Sequence, residues 1–260
     1  MMATTPVKIC VVGPWGRMGS RVVEEARERD DVAVHSVLLR TVIEDDPRVR
    51  ALPEGCLVSA EADDALRGVD VVIDFTAPAI CGWLAPKCAE EGVAYVVAST
   101  GLSDADHQVI DAAAESVAVL QAANLSVGVN ALLEMAEWAA EHLTGFDPEI
   151  FEVHHRYKRD APSGTAYALG EAVQVGRPGL SEVPARAGEQ PRGENELGYA
   201  TLRGGDVPGE HTVFFFGEGE RVELTHRSTT SNIFASGAIR AALWLAEQAP
   251  GRYTMRHVIS

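Results

Sequence analysis

The chain has 260 residues, 46% of them hydrophobic and 23% charged, a composition that indicates a folded globular protein and excludes an intrinsically disordered one. Its formal net charge of −16 opposes binding to nucleic acid and to anionic membrane surfaces. No apolar run reaches the length of a membrane span, and the N-terminus lacks the apolar segment of a signal peptide. We therefore expect a cytoplasmic protein.

Residues 7–124 alternate between short apolar segments and helical patterns. Predicted strands cover residues 7–13, 31–40, 68–76, 93–100 and 117–124, and helical patterns follow the first, third and fourth of them. Strands that alternate with helices in this way predict a doubly wound parallel sheet of the Rossmann type. The fold class is therefore α/β.

Beyond residue 124 the pattern changes. A long helix is predicted over residues 130–143, a half-exposed strand over 149–155 and a loop over 175–195. Residues 200–205, 210–219 and 220–228 are expected to form antiparallel strands, and residues 234–248 a closing helix. We predict a first domain from residues 1–125 and 236–260, and an α+β domain with a mainly antiparallel sheet from residues 126–235.

Four cysteines, at positions 10, 56, 81 and 88, form no Cys-x-x-Cys pair and have no histidine at zinc-ligand spacing. This pattern predicts buried thiols in a reducing compartment. We expect neither a disulfide framework nor a bound metal.

The segment GPWGRMG places glycines at positions 13, 16 and 19 between the first strand and the first helix. A cofactor pyrophosphate needs a tight turn at Gly13 and the free N–H groups of the following helix. The spacing is GxxGxxG and not the common GxGxxG, so glycines that merely permit a tight turn are an alternative. Arg17 either lies beside the phosphates or is an ordinary surface residue.

The end of the second strand bears on the choice of cofactor. Leu39 stands where an acid commonly binds the ribose of NAD, and Arg40 follows it. An arginine without that acid suits a 2′-phosphate and favours NADPH over NADH. In the alternative, Arg40 is solvated and Glu44 or Asp45 reaches the ribose.

Hydroxyl side chains follow two other predicted strands, where loops line the cofactor crevice of such sheets. They are Thr76, Ser99 and Thr100. Each is a candidate cofactor contact, although capping of the next helix would explain each of them equally well.

The segment HHRYKRDAPSGTA, residues 154–166, combines two imidazoles, a lysine and a predicted helix start. A helix N-terminus after Pro162 would bind a carboxylate through its free N–H groups. Ser163 and Thr165 would add hydroxyl donors, and Lys158 would add a positive charge.

The two histidines of this segment are not equivalent. Adjacent residues on a strand point to opposite faces, so at most one of His154 and His155 faces a reacting carbon directly, and either can be structural. Glu152 either orients an imidazole or lies on the exposed face of the strand. We favour the exposed face.

These motifs resemble the 4-hydroxy-tetrahydrodipicolinate reductase (dihydrodipicolinate reductase) family nearly end to end. The similarity is carried by GPWGRMG, DFTAP, ASTG, AANLSVGVN, EVHHRYKRDAPSGTA, VPGEH and ELTHRSTTSNIFASGAIRAALWL. The resemblance implies an NAD(P)H-dependent oxidoreductase that forms tetrahydrodipicolinate in lysine and diaminopimelate biosynthesis. It also implies a dinucleotide-binding domain, a substrate-binding and oligomerisation domain, and a homotetramer associated through its sheets.

The resemblance also implies roles for individual residues. His154 would be the proton donor and acceptor, and Lys158 the second catalytic cation. His155, Gly164 and Thr165 would hold the substrate carboxylates, beside Ser163. The implied cofactor contacts are Gly13, Pro14, Trp15, Gly16, Arg17, Met18, Arg40, Ala98, Ser99, Thr100, Ala122, Ala123, Asn124 and Leu125.

The chain departs from the family pattern at four positions. Leu39 replaces the ribose acid, Ala98 a glycine, Leu125 an aromatic residue, and Ser231 an arginine before the final helix. All four lie on the cofactor side or its hinge. Two alternative functions are therefore a paralogue that reduces a related cyclic imine carboxylate and a non-catalytic NADP-binding regulatory module.

Overall fold

The computed structural model describes residues 5–260. The N-terminal segment was expected to contain no signal peptide, and its first four residues, 1–4, lie outside the described residues. The chain forms two compact units, one from the residues up to Ser126 together with Asn232–Ser260, and one from Val127–Ser231. None of the helices within residues 5–260 is both long and apolar enough to cross a membrane.

The helices and strands follow one another along the chain in three blocks. The first block contains β1 (Val7–Val12), α1 (Arg17–Arg27), β2 (Val32–Leu38), β3 (Leu57–Ser59), α2 (Ala62–Leu66), β4 (Val71–Asp74), α3 (Pro78–Glu91), β5 (Ala94–Val97), α4 (Asp104–Ala114) and β6 (Ala118–Gln121). The second contains α5 (Val127–His142), β7 (Asp147–His154), α6 (Gly164–Gly176), β8 (Ser181–Val183), β9 (Glu196–Arg203), β10 (Gly209–Gly217) and β11 (Glu220–Ser228). The third contains α7 (Ile233–Leu245), β12 (Gly251–Tyr253) and α8 (Met255–Ile259).

The first unit is built on a seven-stranded sheet in the order β12-β6-β5-β4-β1-β2-β3. All of its strand pairs are parallel, and every residue of β4 and β5 is buried, as expected for strands covered by helices on both faces. The chain order reverses between β1 and β4. The predicted doubly wound parallel sheet is confirmed, and ligands bind such sheets at the carboxyl ends of the strands beside this reversal.

Several short elements of this unit were not predicted. They are β3, α2, β12, α8 and a 3₁₀ turn at Pro47–Ala51. Each has five residues or fewer, which is too short for hydrophobic periodicity to identify it. Most of them lie between residues 41 and 67, where the sequence favoured no element.

The second unit contains a five-stranded sheet in the order β11-β10-β7-β9-β8. β10 pairs antiparallel with β7 and β11, but β9 pairs in parallel with β7 and β8, so the sheet is mixed. The prediction that residues 200–205 belong to an antiparallel strand was therefore wrong. The reason is that α6 intervenes between β7 and β9, and a helical crossover returns the chain in the parallel direction.

β7 determines which side chains of this unit enter its interior. Its residues alternate between half-buried and buried, and Pro148, Ile150, Glu152 and His154 are the buried ones. Ile150 packs in one core with residues of α5, α6 and β10. The polar side chains of Glu152 and His154 lie on this same face, at the carboxyl end of the strand.

Of the four cysteines, Cys10, Cys81 and Cys88 are buried as expected, whereas Cys56 is only half-buried. Cys56 precedes the short edge strand β3, which leaves its thiol with less cover. All four carry free thiols.

Candidate active site

The glycine loop of the first unit is a tight turn between β1 and α1. Gly13 has φ +63°, donates its N–H to the carbonyl of Leu38 at 2.9 Å, and accepts from the N–H of Gly16 at 2.9 Å. A Cβ at position 13 would lie 2.8 Å from Cγ2 of Thr76, and one at position 19 would lie 2.3 Å from the carbonyl oxygen of Gly13. Turn packing thus accounts for these two glycines, whether or not a phosphate binds.

The amino end of α1 offers backbone N–H groups to an anion. Gly16 is the N-cap, and no side chain of the described residues caps the first turn. The N–H groups there are therefore available to a ligand. Arg17 and Gly16 are exposed, while Pro14 is buried and Trp15 and Met18 are half-buried.

Thr76 lies just beyond the carboxyl end of β4, where it binds a buried carboxylate. Its backbone N–H donates to Oδ1 of Asp74 at 2.7 Å, and its hydroxyl donates to the same atom at 2.5 Å. The hydroxyl of Tyr95 donates to the other oxygen at 2.8 Å. Burial raises the pKa of Asp74, although these hydrogen bonds oppose the effect.

None of the three hydroxyl candidates, Thr76, Ser99 and Thr100, caps the helix that follows it. Ala77 is the N-cap of α3 and Ser103 that of α4, so none of the three candidates occupies a cap position. The hydroxyl of Ser99 is buried and has no hydrogen-bond partner within residues 5–260, whereas Thr100 is exposed.

The remaining predicted cofactor residues occupy different environments. Arg40 is exposed two residues beyond the end of β2, and within residues 5–260 its side chain makes no hydrogen bond or ion pair. Ala98 and Leu125 are buried, and Ala123 is exposed. Asn124 accepts from the N–H of Ser126 at 2.9 Å, and the N–H of Ala122 donates to the carbonyl of Val97 at 3.1 Å.

His154 is the last residue of β7, and its imidazole is held by polar groups of the second unit. Its Nδ1 contacts Oε2 of Glu152, and the edge of its ring meets His211 at a centroid distance of 5.0 Å. Its side chain is only 10% exposed. A Cβ on Gly209 would lie 3.0 Å from its Nε2.

Glu152 is buried and surrounded by donors. Arg203 donates to both of its oxygens at 2.8 and 3.0 Å, Thr201 donates its hydroxyl at 3.1 Å, and Ser163 donates its N–H at 3.2 Å. Burial alone would raise the pKa of Glu152, but the hydrogen bonds and charges of His154 and Arg203 together lower it to about 2. Glu152 is therefore a carboxylate at neutral pH.

The prediction that Glu152 lies on the exposed face of its strand was wrong. Residues two apart on a strand share a face, so Glu152 lies on the same face as Ile150 and His154. Ile150 belongs to the core of the unit, and this pattern could have placed Glu152 correctly from the sequence.

His211 connects this group to the start of α6. Its Nε2 lies 3.2 Å from the hydroxyl of Ser163, which is the N-cap of α6 and accepts from the N–H of Ala166 at 3.2 Å. Burial, with a smaller contribution from His154, lowers the pKa of His211 to about 3. His211 is therefore a neutral imidazole at neutral pH.

The other predicted substrate residues lie around the same strand end and helix start. His155 is half-buried and accepts the N–H of Tyr157 at 3.2 Å, while Lys158 forms an ion pair with Asp160 at 2.9 Å. The hydrogen bond from Lys158 lowers the pKa of Asp160. Gly164 is exposed and Thr165 is half-buried, both in the first turn of α6.

Three of these side chains have ligand atoms close enough to hold a metal ion. The atoms belong to Glu152, His154 and His211 and lie within 4.8 Å of one another. However, the guanidinium of Arg203 already neutralises Glu152, which disfavours a second cation there.

Comparison with known proteins assigns both parts of the chain to one family. Residues 7–125 match the family model described as "Dihydrodipicolinate reductase, N-terminus", and residues 128–259 match "Dihydrodipicolinate reductase, C-terminus". The chain belongs to the dihydrodipicolinate reductase family. The resemblance inferred from the motifs is thereby confirmed.

Individual reductases of this family are similar over almost their whole length. A protein of Thiobacillus denitrificans named 4-hydroxy-tetrahydrodipicolinate reductase is 44% identical, with 97% of this chain and 98% of the relative covered. One of Anaeromyxobacter dehalogenans with the same name is 45% identical, with 97% of each chain covered. The solved dipicolinate-bound reductase of Paenisporosarcina sp. TG-14 shares the fold, with a TM-score of 0.81 at 23% identity, and covers 96% of this chain and 97% of its own.

The N-terminal part of these reductases is a nucleotide-binding domain that takes NAD(P)H, and the residues of this chain fit such a group. Within residues 5–260, the start of α1 has no side-chain cap, Arg40 is exposed and the hydroxyl of Ser99 has no hydrogen-bond partner. These are the kinds of donor that a dinucleotide requires. When bound, the cofactor supplies a hydride.

Two polar residues of the candidate site were not identified from the sequence. Arg203 was part of a predicted strand, and His211 was noted only as the last residue of the VPGEH motif. The signal that could have found them is strand register. β9 and β10 flank β7, and they place Arg203 directly opposite His154 and His211 directly opposite Glu152. That register requires the order of the strands, which local sequence patterns do not contain.

Proposed function

We propose that this chain catalyses the NAD(P)H-dependent reduction of 4-hydroxy-tetrahydrodipicolinate to tetrahydrodipicolinate in lysine and diaminopimelate biosynthesis. The observation that carries the proposal is the buried His154, backed by the Glu152–Arg203 ion pair and located in the same unit as Lys158 and the start of α6. The names of relatives that are 44% and 45% identical support it.

In this proposal the second unit binds the substrate. The two carboxylates of the substrate are held by Lys158, His155 and the first turn of α6, where Ser163, Gly164 and Thr165 lie. The positive charge of Lys158 and the donors of this turn bind the dianion within a chain whose net charge is −16. His154 in its protonated form delivers the proton that the reduction consumes in addition to the hydride.

Turnover of the purified protein tests this function directly. We expect oxidation of NADPH when enzymatically generated 4-hydroxy-tetrahydrodipicolinate is added. Absence of oxidation would contradict the proposal and favour a related cyclic imine carboxylate as substrate.

Substitutions separate catalysis from cofactor binding. His154→Ala and Lys158→Ala should each lower kcat by at least about 10², the lower end of what a general acid contributes, and leave NADPH affinity nearly unchanged. His142→Ala, at an exposed histidine of the same unit, is the matched control and should keep full activity. Equal losses of turnover and NADPH binding would instead support a regulatory nucleotide-binding role.

We propose NADPH as the preferred cofactor. Support comes from Arg40, which is exposed two residues after β2 and has no acidic partner within residues 5–260. Arg40→Ala should weaken NADPH more than NADH, because only NADPH carries the 2′-phosphate. Arg67→Ala, at an exposed arginine paired with Asp64, is the control. Equal weakening of both cofactors would show that Arg40 does not contact the 2′-phosphate and would favour Glu44 or Asp45 as ribose ligands.

We also propose that residues 126–235 form the substrate-binding and oligomerisation domain of a homotetramer. Phe214 and Phe216 stack at 5.3 Å on the face of β10 opposite the core, and Phe216 is 39% exposed. Leu202 on β9 is 54% exposed. Phe216→Glu should reduce the mass measured by light scattering, whereas Leu57→Glu in the first unit should not. A monomeric wild-type protein would contradict the proposal.

A further inference from the structure

The buried carboxylate of Glu152 has no assigned part in the reaction. Its strand position, two residues before His154, puts both side chains on the covered face of β7. Burial of a carboxylate is costly unless it is paired and hydrogen-bonded, and here it is both. Several donors of the unit are committed to this one carboxylate beside His154, and that arrangement calls for a functional explanation.

We propose that Glu152 is a positioning residue that holds the His154 ring with its proton on Nδ1, so that Nε2 faces the substrate. The inference rests on the proposed function, since it deepens the role of His154. Three observations support the proposal: the hydrogen-bond donors around Glu152, the packing of the His154 ring, and the space beside its Nε2.

The surroundings of Glu152 make it an acceptor. Arg203 can only donate, and its two terminal nitrogens bind both oxygens of Glu152. The backbone N–H of Ser163 can also only donate. A carboxylate held in this way accepts from Nδ1 of His154, which must then carry a proton.

The ring of His154 is also restrained from its side. The neighbouring His211 meets it at an interplanar angle of 73°, and His211 is itself held by Ser163 at 3.2 Å. Rotation that moved Nδ1 away from Glu152 would leave a buried carboxylate with one fewer donor, which is unfavourable. The ring orientation is therefore determined by Glu152 and His211 together.

Space beside Nε2 is maintained by the absence of a side chain. The Cβ of any larger residue at position 209 would lie 3.0 Å from Nε2 and 3.4 Å from Cδ2 of His154. Gly209 is the first residue of β10 and does not have a positive φ, so backbone conformation does not require glycine there. Glycine leaves Nε2 accessible to a reacting molecule.

The first experiment locates the proton in the wild-type protein. Nitrogen-15 NMR of labelled histidine distinguishes the two tautomers, and we expect neutral His154 to carry its proton on Nδ1. A proton on Nε2 would overturn the proposal. This measurement needs no turnover, so its result is independent of whether 4-hydroxy-tetrahydrodipicolinate is the substrate.

The second experiment replaces the carboxylate by an amide of the same shape. Glu152→Gln should lower kcat by about tenfold or more, short of the roughly 10²- to 10⁴-fold that a general acid contributes as a whole. Binding of pyridine-2,6-dicarboxylate, measured by calorimetry, should change by less than about threefold. Glu152 contacts the proposed carboxylate site through the N–H of Ser163, and the amide oxygen of glutamine can still accept that hydrogen bond. Unchanged kcat would overturn the proposal, as would loss of kcat in proportion to loss of dicarboxylate binding.

Matched variants control for general damage. Glu149→Gln removes another carboxylate of β7, which pairs with Arg186 and Arg192. Because Glu149 is five residues from His154, this variant should retain wild-type kcat. Gly209→Ala should lower kcat while Gly204→Ala, where an added Cβ meets nothing within 4 Å, should not. If Glu152→Gln does not fold, the tautomer of wild-type His154 and the Gly209→Ala pair still decide the question.

Discussion

His211 makes the stability of the second unit depend on pH in a way that can be calculated. Its imidazole is 4% exposed, and burial lowers its pKa to about 3 from the ordinary 6.5. In the unfolded chain the same imidazole binds a proton below about pH 6.5. Because the unfolded state then binds more protons than the folded state, the free energy of unfolding falls as the pH falls from about 6.5 towards 3.

The size of this effect follows from the two pKa values. Linkage gives a loss of about 2 kcal/mol between about pH 8 and pH 5, and at most about 5 kcal/mol over the full range. Glu152 adds little in that interval, because its stabilising contribution is lost only as the pH falls from about 4.5 towards 2. Burial also lowers the pKa of His226, so this residue likewise makes the free energy of unfolding fall as the pH falls. Variants of His211 keep His226, so its contribution cancels when they are compared with wild type.

His211→Gln removes the titration and keeps a side chain that can bond to the hydroxyl of Ser163. We expect the variant to lose about 2 kcal/mol less than wild type between about pH 8 and pH 5. Because the chain forms two compact units, urea unfolding should be followed by hydrogen exchange in peptides of β7 and β10, which report on the second unit.

The control is His142→Gln, at an exposed histidine on α5, which should retain the wild-type dependence. The reasoning is refuted if His211→Gln and wild type lose the same stability over this range. That result would mean that His211 is protonated or hydrated in the folded protein.

Two further predictions concern packing, and one concerns a buried carboxylate. Gly237→Ala should destabilise the first unit by about 3 kcal/mol or more in urea unfolding, because the new Cβ would lie 1.8 Å from the carbonyl oxygen of Leu125. The control is Gly82→Ala, where no atom of residues 5–260 outside the local helix would lie within 4 Å of the new Cβ. It should be neutral or stabilising by up to about 1 kcal/mol. Gly170→Ala should lower the melting temperature because its Cβ would lie 1.9 Å from the hydroxyl of Tyr199, and an unchanged value would show that this ring moves freely. Asp74→Asn should lower the free energy of unfolding by about 1–3 kcal/mol, because the new NH₂ group must face either Thr76 or Tyr95, and both of these are donors. The control Asp63→Asn, at an exposed carboxylate, should change stability little. Equal stabilities of the two variants would contradict the hydrogen-bond assignment.

Periodicity and turn residues were sufficient to predict the longer strands and helices of the first unit. The strands predicted at residues 7–13 and 68–76 are buried on both faces at residues 9–12 and 71–74, so each is visible as a continuous apolar run without its neighbours. Gly13 and the helix that follows it were also predicted, because a turn of φ +63° favours glycine wherever it occurs. Short segments such as β3 and α2 carried too few residues for either signal.

The candidate substrate site was only partly predictable. The sequence by itself determined the helix start at Ser163 and the pair of histidines, since capping and composition are local properties of neighbouring residues. Only the tertiary structure decided that Glu152, Arg203 and His211 surround His154, because β7, β9 and β10 bring together residues that are up to 59 positions apart. Hydrogen bonds between strands depend on strand order and register, and these are set by packing of the whole sheet rather than by any one segment.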